Sequence, residues 1–447
     1  MYLVAGLGLS GQSVLRYFAS QGEPCYAFDT RADLEIETLK AQYPQVIFAT
    51  GKLPSGWFAK VDKMVLSPGI ALSSAWVKPF LQAGKEVIGD IELFARSVGE
   101  PIVAITGSNG KSTVTTLVVQ ALKKAGYVVG LGGNIGKPAL DLLLEDNEFD
   151  VYVLELSSFQ LETTYSLQAT SAALLNISED HMDRYDSLEA YIQAKLTILN
   201  NAEWAVLPQD FKLIKTVKVQ NELRFGLGDS QFPIPDQAYG IVKKNNQAWL
   251  GWGSHAAVPV QAMAQQGIHH QLNALAMMAL CRPFNVSDDV YAQVLSEFKG
   301  LPYRSQCIAL HNHVQWINDS KGTNVGATLA AIKTSLATIE GQLILIAGGV
   351  GKEANFSALD AALRQRCRAV ILFGRDRHKI AADCHLENTH LVETLPEAIA
   401  LADLQAQRGD AVLFSPACAS FDQFQNYEDR GEHFDHWVHQ RLAKGTV

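Results

Sequence analysis

The chain has 447 residues, 48% hydrophobic and 19% charged, with a formal net charge of −9. These totals exclude wholesale disorder and fit two to four domains, three being the expectation. No apolar run reaches the ~18 residues of a membrane span, and no broad basic stripe suggests nucleic acid. The opening Met1-Tyr2-Leu3-Val4-Ala5-Gly6 reads as a strand, not a leader, and the six cysteines show no C-x-x-C spacing, so reduced thiols in a cytoplasmic enzyme are expected.

One short pattern recurs along the chain. An apolar run ends in Gly, Ser, Asp or Asn, and an amphipathic stretch usually follows, at 1–6, 64–69, 102–107, 151–157, 172–178, 343–348, 369–374 and 411–415. Near-continuous apolar runs fit strands covered on both faces, hence parallel sheets flanked by helices. Such sheets bind ligands beyond the carboxyl ends of their strands. The predicted fold is α/β in three domains: residues 1–89 Rossmann-like, 90–300 a mononucleotide-binding parallel sheet with a P-loop variant, and 301–447 again Rossmann-like. Residues 222–259, rich in Gly, Asn and aromatics, read as short antiparallel strands inserted in or appended to the central sheet.

The first glycine motif is Gly6-Leu7-Gly8-Leu9-Ser10-Gly11, with Asp29 closing the next apolar segment. Such a turn suits NAD, another nucleotide diphosphate, or no ligand at all. The second is Thr106-Gly107-Ser108-Asn109-Gly110-Lys111-Ser112-Thr113, between an apolar run and an amphipathic one. Backbone N–H groups there can cradle phosphates, Lys111 can reach the outer ones, and a hydroxyl can hold Mg²⁺. Ile105 replaces the first glycine of the standard spacing.

Glu155 ends another apolar run and suits either Mg²⁺ or a structural ion pair. His181, in Glu179-Asp180-His181-Met182-Asp183, suits a metal, a proton carrier or a plain loop hydrogen bond. Lys195 lies among apolar helical positions, where a lysine usually snorkels to solvent. Arg304, Lys321 and Lys352 lie near strand ends of the third region, as groups recognising carboxylates or phosphates would.

Together these segments resemble the Mur ligase family over nearly the whole chain. The most specific are Leu154-Glu155-Leu156-Ser157-Ser158-Phe159-Gln160-Leu161-Glu162, residues 179–185, Trp316-Ile317-Asn318-Asp319-Ser320-Lys321, and Ser415-Pro416-Ala417-Cys418-Ala419-Ser420-Phe421-Asp422-Gln423-Phe424, which continues into Asn426-Tyr427-Glu428-Asp429-Arg430-Gly431. The last favours a D-glutamate-adding member. The resemblance implies an ATP-dependent, amide-forming ligase of cytoplasmic peptidoglycan precursor synthesis, monomeric, joining UDP-N-acetylmuramoyl-L-alanine and D-glutamate through an acyl phosphate. It implies that the first domain holds UDP, with Ser10, Asp29, Thr30, Arg31 and Gly69 at uridine-nucleotide positions and Asn134 contacting substrate. Gly107, Asn109, Gly110, Lys111, Ser112 and Thr113 would hold ATP phosphates, and Asn273, Arg304 and Asp319 would meet the adenosine nucleotide. Ser112 and Glu155 would ligate one Mg²⁺, and His181 with a carbamylated Lys195 a second. Lys111, His181 and Lys195 would serve catalysis, and Lys321, Thr323, Lys352, Ser420 and Phe421 would receive D-glutamate. Two positions depart from the family pattern: His270 stands where an Asn is expected, and Val350 where some members carry an acid.

Overall fold

The computed structural model describes residues 1–211, 219–228, 238–364, 366–385 and 388–444. They form three sheets in two compact units: Met1–Asn176 with Glu189–Phe298, carrying the first two sheets, and Ile177–Leu188 with Lys299–Val447, carrying the third. Among the described residues, no helix is long and apolar enough to cross a membrane.

The first sheet contains β1 (Tyr2–Ala5), β2 (Cys25–Asp29), β3 (Ile47–Thr50), β4 (Lys63–Leu66) and β5 (Glu86–Ile88), all parallel in the order β3-β2-β1-β4-β5. The order reverses beside β1, which puts the crevice of a doubly wound sheet next to the first glycine motif. Gly11 is needed there for close approach: a Cβ would lie 1.7 Å from the Gly6 carbonyl oxygen. Leu3, Phe28, Met64 and Phe80 build the core beneath.

The second sheet contains β6 (Ile102–Thr106), β7 (Val129–Gly133), β8 (Val151–Glu155), β9 (Ser171–Leu174), β10 (Trp204–Pro208), β11 (Asn221–Phe225), β12 (Ala238–Lys244), β13 (Gln247–Trp252) and β14 (His255–Pro259). Its order is β14-β13-β12-β11-β10-β9-β6-β8-β7. The expected antiparallel character of 222–259 holds only in part. β11 extends the parallel array beside β10 and β12 joins it in parallel, while β13 and β14 are antiparallel. Pairing with β10 buries Leu223 and Phe225, which gives β11 its place. The β12–β13 turn uses Asn245 and Asn246, both at positive φ (52° and 60°), a two-residue arrangement that Asn tolerates well. Part of this stretch, 229–237, lies outside the described residues.

The first two sheets are joined within their unit by polar contacts. Arg16 forms a two-point pair with Asp141 at 2.8 and 2.7 Å, and the fully buried Glu92 accepts from the Tyr165 and Ser166 N–H groups at 2.6 and 2.8 Å.

The third sheet contains β15 (Gln306–His311), β16 (Val314–Asn318), β17 (Leu343–Gly348), β18 (Cys367–Phe373), β19 (Thr389–Leu391) and β20 (Ala411–Phe414), ordered β15-β16-β20-β17-β18-β19. All neighbours are parallel except the edge hairpin β15–β16. Leu343, Leu345 and Ala347 face one core cluster, and Ile344 and Ile346 face the other. That two-sided burial is why β17 reads as an unbroken apolar run.

Candidate active site

The second glycine motif forms a loop between β6 and the helix Lys111–Lys124. Gly107 and Gly110 hold φ of 155° and 84°, and a Cβ on Gly110 would meet Asn273 Oδ1 at 2.8 Å. Asn273, expected at the adenosine nucleotide, is therefore at the loop. Asn176 pins the loop from β9: its carbonyl accepts the Ser108 N–H at 3.0 Å, and its side chain accepts from the Asn109 N–H at 2.8 Å and donates to the Asn109 carbonyl at 2.9 Å. No acidic residue occupies the first helical turn, where Ser112 and Thr113 are buried. Such a helix start favours anions. The Lys111 ammonium donates to the Gly107 and Ser108 carbonyls at 2.8 and 3.0 Å.

Lys195 does not snorkel. It is 2% exposed, and its Nζ donates to the Gly107 carbonyl at 3.0 Å and lies 4.7 Å from the Tyr191 ring centre. Tyr191 in turn places its hydroxyl 3.1 Å from Ser108 Oγ. Neither Asn176 nor Tyr191 was singled out from the sequence. An Asn ending an apolar strand run and a Tyr one turn before a buried Lys were the signals available.

Glu155 ends β8, beside Ile105 of β6. It is 1% exposed, with Oε1 accepting from Asn134 Nδ2 at 2.7 Å. Its other oxygen, Oε2, is buried with no hydrogen-bond partner among the described residues. A buried carboxylate oxygen left so is costly. An oxygen of this kind suits a hard cation, which takes oxygen ligands.

In the first sheet, Asp29 ends β2, Thr30 and Arg31 follow it, and Ser10 and Gly69 follow β1 and β4. Asp29 is occupied: its carboxylate accepts from the Leu7 N–H at 2.8 Å and from Arg31 Nε and Nη2 at 2.9 and 2.8 Å. Burial alone would raise its pKa, but these hydrogen bonds outweigh it and bring it to about 2. Asp29 thus shapes the glycine turn and aims the exposed Arg31 and Thr30. Ser10 hydrogen-bonds the buried Asp90, whose carboxyl burial pushes up.

The remaining expected residues belong to the second unit. Asp319 is buried, with its oxygens taken by Ser415 Oγ at 2.6 Å and the Ser305 N–H at 2.9 Å. Burial raises its pKa to about 6 against those bonds and the charge of Arg304. Lys321 sets its ammonium 3.7 Å from the ring centre of Tyr427. The loop after β17 uses Gly348 and Gly349 at φ 135° and 129°, where a Cβ on Gly349 would lie 2.3 Å from the Ala419 carbonyl. Val350 and Ala419 exchange two backbone hydrogen bonds of 2.9 Å, which ties this loop to the Ser420 segment. Val350 therefore acts through its backbone. Ser420 is buried, and Phe421 beside it is 72% exposed.

Lys352, at a φ of 50°, meets Asp180 at 2.5 Å, the pair being 14% and 9% exposed. Asp180 also accepts from the His181 N–H at 2.9 Å and from Asn324 Nδ2 at 3.1 Å. Burial would push its carboxyl up, but the Lys352 charge foremost holds it below the usual range. Thr323, Asn324, Lys352, Asp180 and His181 line a small cleft that opens to solvent. Arg430, fully buried, donates to Ser320 Oγ, the Ser320 carbonyl and the Cys418 carbonyl at 3.1, 2.8 and 3.1 Å. It clamps the turn after β16 to the segment after β20.

His270, the departure from Asn, lies against His269 in the helix Ile268–Leu280, the ring centres 3.9 Å apart and the planes tilted by 45°. Burial, then the charge of His269, lowers its pKa to about 3. An unfolded histidine titrates near ~6.5, so the unfolded chain binds the proton first as pH falls. Stability should therefore drop as pH is lowered from about 6.5 toward 3. Melting curves between pH 7 and 5 should show a shallower decline for His270→Asn than for the parent; equal declines would remove His270 as a cause.

Three family models match the chain: a Mur ligase MurD-like N-terminal domain at residues 1–89, a Mur ligase middle domain at 105–281, and a Mur ligase glutamate ligase domain at 303–418. The chain is 65% identical over 443 residues to a UDP-N-acetylmuramoylalanine--D-glutamate ligase of Hydrogenovibrio crunogenus, covering 99% of this chain and 98% of the relative. It is 45% identical to the ligase of the same description from Pseudoalteromonas translucida, covering 96% and 95%. Among solved structures, the MurF ligase of Thermotoga maritima in complex with ADP superposes with a TM-score of 0.62 at 16% identity, covering 99% of this chain and 95% of that one. A pseudomurein peptide ligase type C from Methanothermus fervidus gives 0.62 at 19%, covering 98% and 99%.

Proposed function

The chain belongs to the Mur ligase family, and from that premise we propose that it joins D-glutamate to UDP-N-acetylmuramoyl-L-alanine with ATP as the driving reactant. The observation that carries this reading is the end-to-end likeness, 65% over 99% of the chain, to a ligase described by that reaction. On this reading residues 1–89 hold the UDP end, 90–300 the ATP phosphates, and 301–447 the amino acid.

A carboxylate resists attack by an amine because its oxygen is a poor leaving group. Transfer of the γ-phosphoryl group to the L-alanyl carboxylate gives an acyl phosphate and ADP. The amine of D-glutamate then adds to the carbonyl carbon, and the tetrahedral intermediate expels phosphate to leave the amide. Phosphoryl transfer asks mainly for positioning and charge neutralisation. The loop N–H groups and Lys111 supply both, with Asn273 beside Gly110 fixing the nucleotide side. Mg²⁺, held by Ser112 and Glu155, would neutralise phosphate oxygens when bound. Glu155 keeps Asn134 oriented toward the same place.

A lysine amine reacts with CO₂ in its neutral form, giving a carbamate and a proton. The resulting anion is the group expected, with His181, at a second Mg²⁺; the resemblance carries that part of the proposal. Lys321, Thr323, Lys352 and the backbone at Ser420 and Phe421 are proposed to receive the amino acid. ADP release measured with each reactant omitted in turn tests the reading. It should require the UDP-sugar substrate and D-glutamate together. ADP release indifferent to both would leave only a nucleotide-binding ATPase.

A further inference from the structure

The Asp180–Lys352 ion pair faces the cleft proposed for the amino acid. Lys352 is 14% exposed and its partner carboxylate 9%. Asp180 is held in place from several sides, by the His181 N–H and by Asn324, whose Oδ1 also caps the helix Val325–Thr338. Thr323, one residue before Asn324, lines the same cleft. Lys352 itself stands in the left-handed region at a φ of 50°, and Glu353 follows at 57°. The ammonium is held where it points by Asp180.

We propose that Asp180 is a resident counter-ion, displaced from Lys352 when a carboxylate of the amino-acid substrate enters the cleft. This rests on the reading that Lys352 receives a substrate carboxylate. A dry lysine without an anion is costly, so the protein supplies its own anion while the cleft holds no substrate. Asp180 then competes with substrate as an internal ligand whose effective concentration is set by its short tether. Only a ligand with more than one anchoring group in the cleft outcompetes it well. A dicarboxylate has two such groups and a monocarboxylic amino acid one. The pair thus contributes specificity by lowering affinity for every carboxylate and leaving the doubly anchored one ahead. Because Asp180 adjoins His181, its release on substrate entry also changes what holds the His181 segment.

The test uses the full chain with Asp180→Asn, and Asp180→Ser should the first fail to fold. Two quantities are measured for each: the apparent KM of D-glutamate with the other substrates saturating, and the rise in melting temperature caused by glutarate, a dicarboxylate without an amine, on the protein alone. Removing the internal competitor should lower the KM by roughly three- to tenfold. It should also enlarge the glutarate-induced shift. A raised KM with an unchanged glutarate shift would mean that Asp180 receives the substrate ammonium and would overturn the proposal. No change in either would also overturn it. Lys352→Ala separates the two levels: if it leaves both quantities at parental values, the reading of Lys352 itself fails. If it abolishes the glutarate shift while the Asp180 variants bind no tighter, the counter-ion proposal alone fails.

Discussion

Lys111→Ala is expected to reduce phosphate release by at least about a thousandfold while leaving the melting temperature within roughly 2 °C of the parent. Lys111 is the first residue of the helix Lys111–Lys124 and directly follows Gly110, whose φ of 84° turns the chain into the helix. Its ammonium already lies on the loop, bonded to the Gly107 and Ser108 carbonyls. Swinging from those carbonyls to a phosphate exchanges two neutral acceptors for a charged one. The side chain is half-buried and fills no core, so its loss leaves no cavity. It also removes a positive charge from a helix start, where positive charge is unfavourable. Turnover and melting measured on the same preparation separate the two effects. Near-parental turnover would remove Lys111 from phosphoryl transfer.

Lys195→Ala is expected to be nearly as damaging to turnover, and Lys195→Arg equally so. Arginine keeps the positive charge but does not form a carbamate under these conditions, so it distinguishes a modified lysine from a merely cationic one. Alanine leaves the Gly107 carbonyl and Thr106 hydroxyl short of a donor they now share with Nζ, at 3.0 and 3.4 Å. It also opens space beside Tyr191, so some loss of stability should accompany the loss of rate. Short carboxylates such as formate or acetate should restore part of the activity to the alanine variant by occupying the place of the carbamate. An active Lys195→Arg enzyme would rule the carbamate out.

The parallel strands were legible from sequence because burial on both faces erases alternation: β17 is apolar throughout and every residue of it is buried. The glycine turn between β6 and the helix Lys111–Lys124 was legible because its glycines have local reasons to be there, positive φ at Gly107 and Gly110. Lys195 was not legible. A lysine among apolar helical positions reads the same whether it snorkels or is buried, and the deciding partner, the Gly107 carbonyl, is 88 residues away in sequence. The grouping of residues 177–188 with the C-terminal unit was equally hidden. Those residues follow β9 without a break in pattern, and Asp180 and Lys352 are separated by 172 positions. Asp29 offers a third case: its oxygens organise Leu7 and Arg31, an arrangement only the folded turn brings about.

The most direct measurement is amide formation by the full chain with ATP, Mg²⁺ and UDP-N-acetylmuramoyl-L-alanine, offering D-glutamate, L-glutamate and a diamino acid one at a time. Two carboxylates and one reacting amine make three attachment points, so the L-enantiomer must give up one contact to present its amine. Losing one buried charge-assisted contact costs on the order of 2–5 kcal/mol, a rate discrimination of roughly thirtyfold to a few thousandfold. Product should therefore form with D-glutamate and be lower by that factor with L-glutamate. Equal use of the two enantiomers, or preference for the diamino acid, would contradict the assignment of the substrate.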